Sequence, residues 1–140
     1  MDDFLNILSQ ISFLVDAGLT VLIWMVQLIV YPSFVYYKTE NLISWHQKYT
    51  LRIAIVVVPL MLFQLFYGLM ISYYNPEINN IIYVSIVIFL WVFTFLGFAP
   101  LHFKISEGTF ENKLLIKLIN RNWIRTLLWS SLLLFRVLFF

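Results

Sequence analysis

Hydrophobic residues are grouped along the chain into four long stretches, 11–36, 53–74, 81–99 and 124–140, which short polar connections separate. A helix needs about 20 mostly apolar residues to cross the hydrocarbon core of a bilayer, and each stretch approaches or exceeds that length. The pattern therefore predicts an all-α protein, an integral membrane bundle of four antiparallel transmembrane helices. Because the connections are short, we expect residues 1–140 to form a single domain.

The overall composition agrees with a membrane protein. Hydrophobic residues make up 62% of the chain and charged residues 11%, and the mean hydropathy is +0.90, whereas soluble proteins have roughly 45–50% apolar and about 25% charged residues. The acidic start at Asp2 and Asp3, and Asp16 inside the first stretch, argue against a cleaved signal peptide. The chain has no Cys, which excludes disulfides and thiolate chemistry.

Lys and Arg residues lie almost entirely on one side of the predicted bundle. The first connection and its flanks carry Lys38, Lys48 and Arg52, and the third connection and its flanks carry all the others except Arg136. Because cytoplasmic connections are enriched in Lys and Arg, we expect a multi-pass protein of the inner (cytoplasmic) membrane with both termini outside the cytoplasm. The Asn-Pro pair at 75–76 predicts a tight hairpin between the second and third helices.

The connection before the fourth stretch has a helical pattern of its own. Residues 111–121 repeat with a period near 3.6, with leucines on one side and basic residues on the other. The pattern predicts a separate helix on the membrane surface, with Thr109 as its N-cap and Gly108 ending the preceding helix.

Polar residues inside the stretches recur at spacings of three or four, which puts them on one face of each helix. Since lipid cannot satisfy their hydrogen bonds, these faces are expected to point at one another. The four stripes, in chain order, are Asp16, Thr20, Trp24, Gln27 and Tyr31; His46, Tyr49, Ile53, Val57, Leu60, Gln64 and Tyr67; Trp91, Thr94, Phe98 and His102; and Asn122, Arg125, Thr126, Trp129 and Arg136.

Alternating helix directions bring parts of the stripes to the same depth. Asp16 and Arg136 fall near the outer surface, where we predict an ion pair between the first and fourth helices, because a lone buried charge is very costly. A second group is expected to converge at the cytoplasmic end of the bundle, called here the mouth: Tyr31, His46, Tyr49, His102, Asn122 and Arg125. Gln27 is expected one helical turn deeper.

Proline and glycine positions add local expectations. Pro59 lies inside the second stretch, where its missing N–H predicts a bend that opens space below the mouth. Pro32 marks the point where the first helix leaves regular geometry. Gly18, Gly68 and Gly97 are expected to be close-packing positions between helices.

The cluster at the mouth contains both histidines of the chain. A neutral His can act as a general base or as a haem ligand, and Arg supplies a fixed fork of donors that can stabilise developing negative charge. The predicted catalytic residues are His46, His102, Tyr49 and Arg125, with His46 as base or ligand and His102 as its partner. The predicted substrate contacts are Tyr31, Gln27, Asn122 and Trp129.

Cofactors and partners remain open at this stage. The nearest acidic residue to the level of the two histidines is Glu107, and none lies clearly at that level, so a zinc or non-haem iron site is less favoured, whereas haem held by two axial histidines needs no carboxylate. The expected partners are the lipid bilayer and a hydrophobic small molecule, and a homo-oligomer is an open alternative. The net charge of +2 reflects topology and gives no support for nucleic-acid binding.

Four segments carry a resemblance to known proteins. The segments 27–32 (QLIVYP), 45–49 (WHQKY), 100–102 (PLH) and 122–129 (NWIRTLLW) resemble signatures of an uncharacterised family of bacterial four-helix integral membrane proteins. The length and layout also resemble the anthrone-oxygenase-like domain family, in which some fungal members are linked to oxidation of polycyclic aromatics. They are similar as well to the four-helix, haem-binding protoporphyrinogen oxidases of bacteria, which have a comparable Tyr-Pro, although this chain has no His in its first stretch.

Together these features predict a membrane-embedded oxidoreductase or oxygenase-like protein. Its polar, cytoplasm-facing pocket would take a hydrophobic aromatic or quinone-like molecule that enters from the bilayer. The alternative is a non-enzymatic membrane subunit or scaffold, in which the polar cluster is a hydrogen-bonded plug that fixes helix register.

Overall fold

The computed structural model describes residues 2–140, and the regular elements in that range are all helical, as the sequence predicts. Helix α1 (Asp2–Met25) is followed by a π-helical turn (Val26–Val30), the short α2 (Tyr31–Ser33) and a 3₁₀ turn (Phe34–Tyr36). The other helices are α3 (Thr39–Tyr74), α4 (Ile78–Gly97), α5 (Ala99–Ser106) and α6 (Asn112–Phe139).

Three helical segments are long and apolar enough to cross a membrane, namely Asp3–Tyr36, Thr39–Tyr74 and Ile78–Ser106. Helix α6 is not among them. Its length and composition therefore do not support the prediction that residues 124–140 form a fourth membrane-spanning stretch. The physical reason is that Arg125 and Arg136 interrupt the apolar half of this helix.

The predicted surface helix at 111–121 is not a separate element. Helix α6 begins at Asn112 and runs without a break, because its buried face continues at spacings of three and four from Leu115 into the apolar half. Glu111 is the N-cap position, and the Thr109 hydroxyl instead donates to the carbonyl of Lys104. The predicted cap at Thr109 is therefore wrong.

Gly108 ends α5, as its position in the sequence predicts. Its φ of +72° lies in the left-handed region, which only glycine adopts without strain. The Gly108 N–H donates to the carbonyl of Ile105 at 3.1 Å. A Cβ placed on Gly108 would lie 2.9 Å from Cδ1 of Ile43 on α3.

The hairpin between α3 and α4 is held by its own polar residues. Asn75 leaves helical geometry just before Pro76, and its N–H still donates to the carbonyl of Ile71. The Asn80 amide donates to the Asn75 carbonyl at 2.7 Å, and the Ser72 hydroxyl donates to the Asn80 carbonyl at 3.0 Å. These bonds satisfy backbone groups that the turn would otherwise leave unpaired.

Helices α1 and α4 each pack against both α3 and α6, and α5 packs against α3 and α4. The inward-facing stripes are largely buried, with one exception. Trp24 is 36% exposed and lies at the edge of the α1–α6 contact, where its indole N–H donates to the Ser130 hydroxyl at 3.0 Å. The amphipathic indole therefore sits at the rim of the core.

The three helical glycines differ in their surroundings. A Cβ on Gly68 would lie 3.2 Å from side-chain atoms of Tyr83 and Val84, so close packing of α3 on α4 occurs there. At Gly97 only Phe93 of the same helix lies nearby, so the prediction of close packing between helices is wrong there. At Gly18 a Cβ would meet nothing within 4 Å, so the prediction of close packing is wrong at this position.

Candidate ligand site

Four side chains form a continuous hydrogen-bonded chain, called here the relay. The Tyr31 hydroxyl lies 2.9 Å from Nε2 of His102, and Nδ1 of His102 lies 2.8 Å from Nε2 of His46. Nδ1 of His46 in turn lies 2.9 Å from the hydroxyl of Ser106. The relay therefore uses both nitrogens of both imidazoles.

Local breaks in helical geometry aim these residues at one another. Tyr31 directly follows the π-helical turn and precedes Pro32, whose missing N–H disrupts the regular ladder. His102 lies in α5, which restarts after α4 with Pro100 in its first turn, and His46 projects from the second turn of α3. Sequence pattern predicts that Tyr31, His46 and His102 meet, and the structure brings them together.

A buried aromatic ring packs against three of the rings at the relay. Phe34 is fully buried, and its ring centroid lies 5.7 Å from that of Tyr31, 5.5 Å from that of His46 and 5.7 Å from that of Tyr49. Edge and tilted contacts of this kind hold ring orientation in addition to burying apolar area. The sequence stripes do not include Phe34, because it lies in the 3₁₀ turn that follows α2.

A cavity of about 250 Å³ lies beside the relay, between α1, α3, α4 and α6. Its walls are mostly apolar, with Leu19, Val26, Val57 and Phe95 among them. The lining residues whose side chains carry a polar atom are Tyr31, Tyr49, Thr50, Trp91, Thr94, His102, Arg125 and Trp129.

Among residues 2–140, Arg125 is the only charged residue that lines this cavity. It is 8% exposed, and its guanidinium carbon lies 4.4 Å from the ring centroid of Phe98 and 5.3 Å from that of Trp129. Within residues 2–140, no carboxylate lies within 4 Å of Arg125, since the one ion pair found there joins Asp16 and Arg136. Two aromatic faces therefore hold a cation that has no protein counter-charge.

Three cavity-lining residues each carry a buried polar atom without a hydrogen-bond partner in the protein. These atoms are Oγ1 of Thr94, Nε of Arg125 and Nε1 of Trp129. Buried polar groups are nearly always hydrogen-bonded, so several unpaired ones around one cavity call for an explanation. Two of the three are N–H groups that can only donate, and all three belong to residues that line the cavity.

Two predicted substrate contacts do not reach the cavity. The side-chain amide of Asn122 donates to Oε1 of Gln27 at 2.9 Å, and the Gln27 amide lies 3.4 Å from the carbonyl of Ile119. Both residues are buried in the contact between the π-helical turn and α6. Gln27 and Asn122 therefore join two helices, and neither lines the cavity.

His46 also lies outside the cavity lining, behind His102. A role as the base that touches substrate directly, as the sequence suggests, does not fit this position. The cavity-facing members of the relay are Tyr31 and His102. Ser106 forms the other end of the relay and is not among the predicted site residues. It follows His102 by four residues and therefore lies on the same helical face.

The two histidines do not fit a shared haem. Two axial nitrogens on opposite sides of an iron would be about 4 Å apart, whereas Nε2 of His46 and Nδ1 of His102 lie 2.8 Å apart and hydrogen-bond directly. The rings are stacked at 26° with centroids 5.0 Å apart, which leaves no slot for a porphyrin. Among residues 2–140, no group of three His, Asp or Glu side chains could hold a metal ion.

A second buried polar group surrounds Asp16 and is called here the Asp16 network. Nη1 of Arg136 lies 3.5 Å from Oδ2 of Asp16, and both side chains are almost completely buried. The Gln64 amide donates to Oδ1 of Asp16 at 2.6 Å, and the Tyr83 hydroxyl lies 3.1 Å from both carboxylate oxygens. The sequence predicts the pairing of Asp16 with Arg136 but does not anticipate Tyr83.

Arg136 makes further contacts with α1 and with aromatic rings. Its guanidinium donates to the Ser12 hydroxyl at 2.9 Å and to the Ser9 carbonyl at 2.8 Å. Its central carbon also lies 4.9 Å from the ring centroid of Tyr67. Ser9 and Ser12 precede Asp16 at spacings of seven and four, so extending the first stripe toward the N-terminus would have found them.

No protein-family model, curated protein or solved structure matches this chain.

Proposed function

We propose that this chain is a membrane-embedded oxidoreductase or oxygenase-like protein whose cavity binds a hydrophobic aromatic or quinone-like molecule. The observation that carries the proposal is the cavity itself, which has apolar walls, one uncompensated cation and several unpaired polar atoms. Pockets for small molecules commonly have this character, with a few placed polar groups in an apolar shell.

The polar groups of the cavity indicate which chemical group of the ligand would bind there. Arg125 and the Trp129 indole N–H both donate, and neither has a carboxylate or carbonyl partner in the protein. A phenolic, hydroquinone or quinone oxygen would accept from them and would gain stabilisation from the positive charge. Trp91 and Trp129 both line the cavity and can contact an aromatic ring bound there.

The size of the cavity limits the ligand. Its volume of about 250 Å³ is just below the roughly 300–1,000 Å³ of pockets for drug-sized molecules. A head of one or two fused rings is therefore favoured. Val58, Phe95 and Ala99 line the cavity and are also exposed on the outer face, so we propose that the ligand enters between α3 and α4 from the lipid side, where a tail could remain.

The proposed setting is an antiparallel bundle of four membrane-spanning helices in the inner membrane, with both termini outside the cytoplasm. Large apolar side chains are exposed on every long helix, including Leu127, Leu134 and Leu138 of α6, and contiguous exposed apolar surface favours contact with lipid. Both arginines in this half of α6 point inward and are at most 8% exposed, so neither would meet lipid.

In the proposed reaction the protein supplies binding and proton transfer. Tyr31 and His102 would exchange a proton with the ring oxygen, and Arg125 would stabilise the anion that remains. The electrons of the oxidised ring would pass to molecular oxygen as co-substrate, in line with the resemblance to the anthrone-oxygenase-like family, or to another membrane-soluble acceptor.

One observation favours the structural alternative. Each ring nitrogen of His46 and His102 already has a hydrogen-bond partner in the protein, as a plug that fixes helix register would require. The cavity is the observation against it, because a plug does not need empty space with unpaired donors beside it.

Ligand binding can be tested with the purified protein in phospholipid vesicles. Addition of 1,4-naphthoquinone should quench Trp fluorescence saturably, since Trp91 and Trp129 line the cavity. Arg125→Met removes the cation without leaving a carboxylate unpaired, and it should weaken binding at least about tenfold, the value of a hydrogen bond to a charged group. Arg52→Met, on an exposed position outside the cavity, is the matched control and should bind like the unmodified protein.

Two results would contradict the proposal. Quenching that rises linearly with quinone, without saturation, would mean that the molecule only partitions into lipid. Equal affinity in the Arg125→Met and Arg52→Met variants would mean that the cavity does not select the ligand's head, and the structural alternative would then stand.

A further inference from the structure

We infer that the relay is a proton wire, which carries the hydroxyl proton of a cavity-bound phenol or hydroquinone to the protein surface at Ser106. This inference rests on the proposed function and narrows it. Among hydrophobic aromatic molecules, it selects those whose head carries an ionisable hydroxyl group.

The relay is continuous and joins two different environments. Its three links measure 2.9, 2.8 and 2.9 Å between heavy atoms, all within the range of well-formed hydrogen bonds. Tyr31 and His102 line the cavity at one end. Ser106 is the last residue of α5, next to the exposed Glu107, and is partly exposed at the other end.

Each member of the relay can both donate and accept, so one proton can move along it without any ring leaving its place. The wire starts from the tautomers in which Tyr31 donates to His102, His102 donates to His46, and His46 donates to Ser106. When the ligand's O–H bond breaks, its proton joins the Tyr31 oxygen and the Tyr31 proton passes to Nε2 of His102. The Nδ1 proton of His102 then passes to Nε2 of His46.

Two further transfers bring a proton to solvent. The Nδ1 proton of His46 joins the Ser106 oxygen, and the proton that Ser106 held leaves to water. The ligand becomes an oxyanion, one proton reaches solvent, and no electron moves in this step. Both imidazoles end in the opposite tautomer, so the hydroxyls must turn before a second proton can follow.

The charges around the relay favour this direction. Arg125 lines the same cavity as Tyr31 and His102 and would attract the ligand's negative charge. Tyr49 also faces the relay, and its ring centroid lies 6.3 Å from that of His46. No carboxylate among residues 2–140 forms an ion pair with either histidine, and exposed Glu107 follows Ser106 at the outer end of the relay.

His46 is the member that a simpler site would not need. Orientation of His102 requires only one hydrogen-bond acceptor at Nδ1, which a backbone carbonyl can provide. Instead the partner is a second imidazole, fully buried and outside the cavity, whose far nitrogen reaches a hydroxyl at the end of a helix. This extension gives a proton a route out of the buried site.

The test uses 2-naphthol, whose phenolate has its own absorption band, mixed rapidly with the protein in phospholipid vesicles. Ser106→Ala breaks the outer link and His46→Gln breaks the central one, and each should leave the equilibrium affinity for naphthol within about twofold while slowing phenolate formation at least about tenfold. Ser85→Ala, a matched change on exposed α4 surface, should alter neither quantity. Thermal melting of every variant shows that the fold survives.

The possible results separate the wire from the ligand site. If 2-naphthol does not bind the unmodified protein saturably, the proposed function and the wire fail together. If it binds and is deprotonated, but Ser106→Ala and His46→Gln react at the unmodified rate, the wire is wrong while the ligand site remains. A purely structural relay would instead lower the melting temperature and the affinity in both variants without a separate effect on rate.

Discussion

At the scale of single residues, the most consequential feature is a charge pair that is buried where four helices meet. Asp16 of α1 receives hydrogen bonds from α3 and α4 and lies 3.5 Å from a guanidinium nitrogen of Arg136 on α6. Two buried ions are costly to remove from water, and removing one partner leaves the other uncompensated. The Asp16 network should therefore fix which helices assemble.

We predict that Asp16→Asn and Arg136→Leu each lower the free energy of unfolding by about 3–5 kcal/mol, because each strands a buried partner. The double variant should recover a large part of this loss. Denaturant unfolding in detergent micelles measures both quantities. Glu40→Gln, which removes an exposed carboxylate, serves as the control. Additive losses in the double variant would show that the two side chains act independently.

Residue spacing in the sequence predicts some parts of the candidate site and not others. His46, His102 and Tyr31 lie at inward positions near helix ends, and alternating directions are enough to predict that they meet. The pairing of Gln27 with Asn122, away from the cavity, was not predictable in this way. Periodicity assumes regular helix, and the π-helical turn at Val26–Val30 changes the angle between Gln27 and Tyr31.

At the scale of elements, the positions where helices end or are interrupted determine where the relay can form. Gly108 ends α5 in the left-handed region, and a side chain there would also approach Ile43 on α3. Sequence composition predicts this stop, because glycine after a helix is a common terminator. The unbroken α6 was missed, since its polar first half and apolar second half look like two elements in a hydropathy pattern, although one buried face runs through both.

We predict that Gly108→Ala and Gly18→Ala have opposite effects on stability. Alanine at 108 must adopt a left-handed conformation at a cost of about 1–2 kcal/mol, and its Cβ also displaces the tip of Ile43. Alanine at 18 meets no neighbour within 4 Å and should stabilise α1 by about 0.5–1 kcal/mol. Thermal melts of both variants provide the comparison, and a destabilising Gly18→Ala would contradict it.

At the scale of the whole molecule, the distribution of basic residues predicts orientation. Apart from Arg136, which is bound within the Asp16 network, the Lys and Arg residues belong to the α1–α3 connection, to α5 or to the first half of α6, or flank them. This asymmetry favours one way of insertion, and it would place Ser106 and the outer end of the relay in the cytoplasm.

We predict that reporters fused to either terminus report a location outside the cytoplasm. Alkaline phosphatase, active only outside, should be active at the C-terminus, and a fluorescent reporter that matures only in the cytoplasm should stay dark there. The opposite pattern would reverse the proposed orientation. A reporter inserted after Gly108, in the connection between α5 and α6, should give the reciprocal result.

The π-helical turn holds one residue more than a regular helical turn, so this part of the chain can lose one residue without changing how the flanking segments face each other. The Tyr31 N–H donates to the carbonyl of Val26, five residues earlier, whereas a regular helix uses the carbonyl four residues earlier. Removing Ile29, which is 62% exposed and is not part of the core, would let α1 run on as regular helix with Val26 and Tyr31 four apart. Tyr31 should then still face His102, and the Asp16 network should keep its place. A single-codon deletion of Ile29 should thus spare both naphthol deprotonation and much of the thermal stability, and loss of deprotonation in that variant would contradict this expectation.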